Sequence, residues 1–88
     1  MIRRRVLVSG RVQGVFFRDT CRRVAEAAGV AGWARNMPDG RVEVVLEGER
    51  DAVQSVVDWC RRGTDWAQVT SVEVIEEEPR GETGFRIR

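Results

Sequence analysis

Histidine is missing from this chain of 88 residues, and so are tyrosine and lysine. Without histidine there is no Ser–His or Cys–His pair to activate a nucleophile, and no imidazole to hold a metal. Without tyrosine no phenol can act as a proton donor. The two cysteines, Cys21 and Cys60, are too few and too far apart for a zinc site. They read as two reduced, partly buried thiols that share one end of a helix pair. No apolar run approaches the roughly 20 residues that span a bilayer. Arg3, Arg4 and Arg5 are followed only by Val6, Leu7 and Val8, too short for a signal-peptide core. The expectation is a cytoplasmic protein. Asparagine occurs once, as Asn36. The net charge is +1, so no bulk field draws the chain to DNA or to an anionic membrane. The all-arginine basic set reads as genome composition; it is a poor thermophile signal, because lysine rises in hyperthermophiles.

What is present organises into one domain over residues 1–88, with room for a modest two-layer core. Residues 3–9 read as a strand. Phe17, Cys21, Val24, Ala25 and Ala28 recur at helical spacing, and Gly29 closes that helix. Residues 30–36 read as a second strand, and Pro38-Asp39-Gly40 as a turn. Val42, Val44 and Leu46 alternate with Arg41, Glu43 and Glu47, with Val45 a mild break, which predicts a half-buried third strand in a hairpin with the second. A second helix is predicted from Glu49 to Arg62, with acid at its start, arginine at its end, and Val53, Val56, Val57 and Cys60 on its apolar face. Residues 68–77 read as a fourth strand, with Val72 and Val74 on one face. Phe85 to Ile87 read as a short last strand. The order strand, helix, strand, strand, helix, strand is a split βαβ arrangement with both helices on one sheet face.

The most informative stretch is Gly10-Arg11-Val12-Gln13-Gly14-Val15-Phe16-Phe17-Arg18. It joins the first strand to the first helix. Backbone N–H groups at a helix start lack intrahelical partners, and the helix dipole adds about half a positive charge there. Gly14 permits close approach of an anion, and Arg18 offers a planar fork of donors to two phosphate oxygens. The candidate phosphate-binding residues are therefore Gln13, Gly14, Val15, Phe16, Phe17 and Arg18. The spacing is neither that of a Walker loop nor G-x-G-x-x-G, so a nucleotide does not follow.

This stretch resembles the acylphosphatase signature, which reads much like G-x-V-Q-G-V-x-F-R. A second family motif stands downstream as Gly32-Trp33-Ala34-Arg35-Asn36, followed by Asp39-Gly40 and Val42-Glu43-Val44. The chain has the length of the whole family domain, which favours a free-standing enzyme. The resemblance implies an α+β, ferredoxin-like βαββαβ sandwich. Its two helices pack on one face of a mostly antiparallel sheet of four to five strands, ordered 4-1-3-2. It implies hydrolysis of acyl phosphates with Arg18 and the loop amides on the phosphoryl group and Asn36 orienting water. Neither a metal nor another cofactor is implied. The expected partners are a small-molecule acyl phosphate and inorganic phosphate, with no nucleic acid and no membrane, and the protein is expected to be a monomer.

Topology and chemistry agree with that implication. The end of the first strand, the end of the second and the Gly63–Ala67 segment gather at one end of the sandwich. The two motifs then lie about 10 Å apart, two strand spacings. A site with an anion cradle, a fixed cation and a neutral amide, but no evident base or nucleophile, suits a substrate that is already activated. The leaving group of a carboxylic-phosphoric anhydride is a carboxylate whose acid has a pKa near ~4, so it departs without a general acid. Arg11 reads as solvated rather than ligand-binding, and Trp33 as cover for the sheet. Trp66 is read either as an apolar wall for the acyl group or as packing on the second helix. Relatives usually carry a proline where this chain has Thr64-Asp65-Trp66, which leaves that loop's stiffness open. Two other functions share the topology. An RNA-binding domain would need aromatic residues on the third strand, where Arg41 to Glu47 has none. A carbamoyl-phosphate-processing module would sit within a larger maturation protein.

Overall fold

The computed structural model describes residues 1–88. Its elements are β1 (Ile2–Arg11), α1 (Phe17–Ala27), β2 (Ala31–Asn36), β3 (Val42–Gly48), α2 (Arg50–Arg62), β4 (Gln68–Glu77) and β5 (Phe85–Ile87). The sheet order is β4-β1-β3-β2-β5. Neighbouring strands are antiparallel except β2 and β5, which run parallel. The ferredoxin-like sandwich and the order 4-1-3-2 are as expected, and β5 extends the sheet beyond β2.

Side-chain parity sorts the strands into two faces. Val6 and Val8 of β1, Ala34 of β2 and Val42, Val44 and Leu46 of β3 are fully buried under the helices. α1 meets them with Phe17, Cys21 and Ala25, and α2 with Val53, Val56, Val57 and Cys60. Trp59 joins that face, its ring centroid 4.9 Å from that of Phe17. Full burial of one such side chain contributes about 1.5–3 kcal/mol, so the two apolar stripes suffice to dock both helices. Both cysteines are free and buried in this layer. A hydrogen bond with Cys21, and then burial, push the Cys60 thiol well above its ordinary value.

The opposite sheet face corrects one expectation. β3 is buried along its whole length rather than half-buried. Glu43 and Glu47 alternate with the valines as a solvated face would, yet both are inside. Glu43 pairs with Arg5 and Arg35, and Glu47 pairs with Arg3. Arg3 also reaches Glu77 at 2.8 Å and Glu82 at 3.0 Å. Burial disfavours the Arg3 charge, but those three carboxylates outweigh it and raise its pKa.

Glu47 does more than pair. Its carboxylate accepts the main-chain N–H groups of Arg80 at 2.8 Å and of Gly81 and Glu82 at 3.1 Å each. Burial pushes this carboxyl up, but the Arg80 N–H, the Arg3 guanidinium and the other two N–H groups hold it below the usual carboxylate range. The connection after β4 is thereby drawn back over the sheet. That delivers β5 to the free edge of β2, with Ile87 opposite Ala34.

Candidate active site

The candidate anion loop begins inside β1. The strand runs to Arg11, further than the expected residue 9, by means of an irregularity at Ser9/Gly10. Gly10 has φ 119°, and a Cβ there would lie 2.1 Å from the main-chain oxygen of Gln68. Only glycine lets β1 and β4 close at that point. Val12 and Val15 are buried and anchor the loop, while Gly14, φ 75°, stands open to solvent. Phe16 is the helix N-cap, and its side chain makes no capping bond. The first helical hydrogen bond runs from the Thr20 N–H to the Phe16 carbonyl at 3.1 Å. The amides ahead of Thr20 have no intrahelical partner and are available to an anion.

Beside the loop lies a cleft of about 260 Å³. Its wall holds Val12, Gly14, Phe16, Phe17 and Arg18 from the loop and α1, and Asn36 from β2. Asn36 shares the parity of the buried Ala34, which places it on the helix side of the sheet, where the loop lies. Asp19 and Ile87 complete the wall. Five of the expected residues for phosphate binding and catalysis, Gly14, Phe16, Phe17, Arg18 and Asn36, thus meet in one cleft.

Gln13 and Val15 do not line it. Val15 points into the core. The Gln13 amide instead donates to the main-chain oxygens of Met37 at 2.8 Å and Arg41 at 3.0 Å. It straps the loop to the β2–β3 turn, whose first strand carries Asn36. A similar strap comes from the other side: the Thr64 hydroxyl donates to the Val15 carbonyl at 2.8 Å. The segment after α2 closes on itself through an Ala67 N–H to Thr64 carbonyl bond of 3.0 Å. The loop without proline is therefore tied down by hydrogen bonds. Neither strap has a local sequence signal, since each links residues far apart in the chain.

Electrostatics favour an anion. Arg18 donates to the main-chain oxygen of Arg88 at 3.1 Å, which uses one of its five N–H donors and steadies the fork. Asp19 is the one acidic residue on the wall. It forms ion pairs with Arg22 and Arg23, each at 3.1 Å, so its charge is offset within the helix. The i, i+3 and i, i+4 spacing of those arginines is the signal by which Asp19 could have been read as paired. Arg11 is exposed and absent from the wall, as expected of a solvated side chain. Trp33 lies on the far face, half-buried, with the Arg88 guanidinium 4.4 Å over its ring. No helix is long and apolar enough to cross a membrane.

The family model for acylphosphatase matches residues 4–87. The chain belongs to the acylphosphatase family. It is 60% identical over 86 residues to an acylphosphatase of Rubrobacter xylanophilus, a match covering 96% of this chain and 77% of that one. The crystal structure of the acylphosphatase from Bacillus subtilis superposes with a TM-score of 0.96 at 39% identity, covering 100% of this chain and 99% of that one. The chain is thus a hydrolase acting on phosphorus-containing acid anhydrides, and acylphosphatases act on small-molecule acyl phosphates. Full-length HypF in its phosphate- and nucleotide-bound form also superposes, with a TM-score of 0.92. At 23% identity and 12% of that chain, it shares the fold alone.

Proposed function

We propose that the chain hydrolyses the carboxyl–phosphate bond of acyl phosphates, with Arg18 and Asn36 as its catalytic residues. The phosphoryl group sits on the loop Gln13 to Arg18, taken by main-chain N–H groups and by the Arg18 fork. Asn36, across the cleft, orients a water in line with the bond that breaks. That water attacks phosphorus, the bond from phosphorus to the acyl oxygen breaks, and carboxylate and inorganic phosphate leave with release of one proton. Positioning and charge stabilisation are most of what such a transfer needs. The step calls on no general acid, because the leaving carboxylate is a weak base, and on no metal, because Arg18 and the helix start supply the positive charge.

The single observation that carries this reading is the shared cleft of Gly14, Arg18 and Asn36 at the open start of α1. The reading includes one domain over residues 1–88, a monomer, and action in the cytoplasm on a small molecule, with phosphate as product and inhibitor. The test is hydrolysis of benzoyl phosphate beside a phosphate monoester, with and without EDTA. Turnover of the anhydride alone, unchanged by EDTA, is expected. Equal turnover of both substrates, or full loss with EDTA in folded protein, overturns it. Arg18→Ala should cost at least about 10²–10³ in kcat, the usual loss for one transition-state donor.

A further inference from the structure

Phe16 is the only non-glycine residue with a left-handed backbone, at φ 62° and ψ 25°. A bulky side chain adopts that conformation only at a cost, and such residues cluster where a ligand is handled. The ring is not buried in return: Phe16 is 66% exposed. Its neighbour is Trp66, also 66% exposed, set edge-to-face with ring centroids 5.7 Å apart and planes at 67°. Trp66 thus packs against the anion loop rather than on the end of α2. The segment that carries it is fastened to the same loop through Thr64 and Val15.

The Phe16 ring lies between two hollows. On one side of Phe16 is the cleft with Gly14, Arg18 and Asn36. On the other is a hollow of about 360 Å³, bounded by Phe16, Trp66, Asp19, Thr20 and Arg23. Phe16 and Asp19 belong to both. We infer that this second hollow is the subsite for the acyl end of the substrate, and that it selects an aromatic acyl group. The inference rests on the acylphosphatase reading of the first cleft. With the phosphoryl group on the loop, the acyl end must project outward, and Phe16 forms the rim it crosses. Two exposed rings at an angle offer one face and one edge to a third ring, an arrangement aromatic groups favour. A charged acyl group gains less, because Arg23 is held 3.1 Å from Asp19 and their charges offset.

The test compares kcat/KM for benzoyl and acetyl phosphate in the wild type and in Trp66→Ala. The benzoyl-to-acetyl ratio should fall about tenfold in the variant, the lower end of what an apolar contact contributes to discrimination. An unchanged ratio overturns the subsite while leaving the hydrolase reading intact; hydrolysis of neither substrate by the wild type overturns the hydrolase reading itself. Competitive inhibition of the wild type by benzylphosphonate and methylphosphonate keeps the inference testable if the variant does not fold. The benzyl compound should bind about tenfold tighter, and equal inhibition constants overturn the inference.

Discussion

Asn36 and Arg18 sit in one cleft but differ in chemistry, and their substitution should separate two quantities. In the proposed reaction Arg18 carries the charge that an anion needs in every state. Asn36 is neutral, and in the proposed reaction it acts on the water. Asn36→Ala should therefore lower kcat by about 10² or more while inhibition by inorganic phosphate persists. Loss of phosphate inhibition together with turnover would show that Asn36 binds the anion instead. Gly32 makes a different point. It has φ 146°, and a Cβ there would lie 1.8 Å from the main-chain oxygen of Val45. Gly32→Ala must force β2 away from β3, so Asn36 shifts with it. A marked fall in thermal midpoint accompanied by lost activity is expected, and an unperturbed midpoint would contradict the close approach.

Among the elements, the helices and most strands were legible because burial follows period. The apolar residues of α1 and α2 that recur at the helical spacing are buried or partly buried, and Ala27, off that stripe, is exposed. β3 was legible as a strand but not in its burial. Glu43 and Glu47, on one face of the strand with Val45 between them, look the same in sequence whether they face water or a layer of arginines, and only the pairing of β1 beside β3 distinguishes the two. The candidate loop-to-helix site could be read because its residues are contiguous: two glycines, a helix start and an arginine. Its supports could not, since Gln13 reaches Arg41 and Thr64 reaches Val15 through space. Thr64→Val removes one hydrogen bond, which contributes about 0.5–1.5 kcal/mol, and leaves the Val15 carbonyl without that partner. A modest loss of stability with a larger loss of kcat is expected by denaturation and steady-state kinetics. Loss of stability alone would leave Thr64 as a support of the fold and not of the loop's geometry.

Across the whole molecule, the ion network on the open sheet face has two roles. It covers that face, and through Glu47 it routes the chain so that β5 reaches the site. The Arg3 hydrogen bond, ahead of the opposing effect of burial, holds the Glu77 carboxyl below its ordinary value. Glu47 is held low as well. A carboxyl with a lowered folded pKa adds stability that is fully present above its unfolded value, near ~4.3, and is lost as pH falls through the folded value. The thermal midpoint should therefore be level from about pH 5 towards neutrality and drop below about pH 4. Glu47→Gln should cost about 3 kcal/mol at neutral pH, the lower end for breaking a buried pair, because Arg3 keeps Glu77 and Glu82. It should also flatten the acid limb; an unchanged limb would assign the acid sensitivity to other carboxylates.

The proposed function turns on one chemical event, attack of water on phosphorus at the start of α1. Hydrolysis of benzoyl phosphate in water labelled with heavy oxygen, followed by mass analysis of both products, tests that event directly. The label is expected in inorganic phosphate and not in benzoate. Label in benzoate would mean attack at the carbonyl carbon, and would contradict the assignment of the loop, Arg18 and Asn36 to phosphoryl transfer.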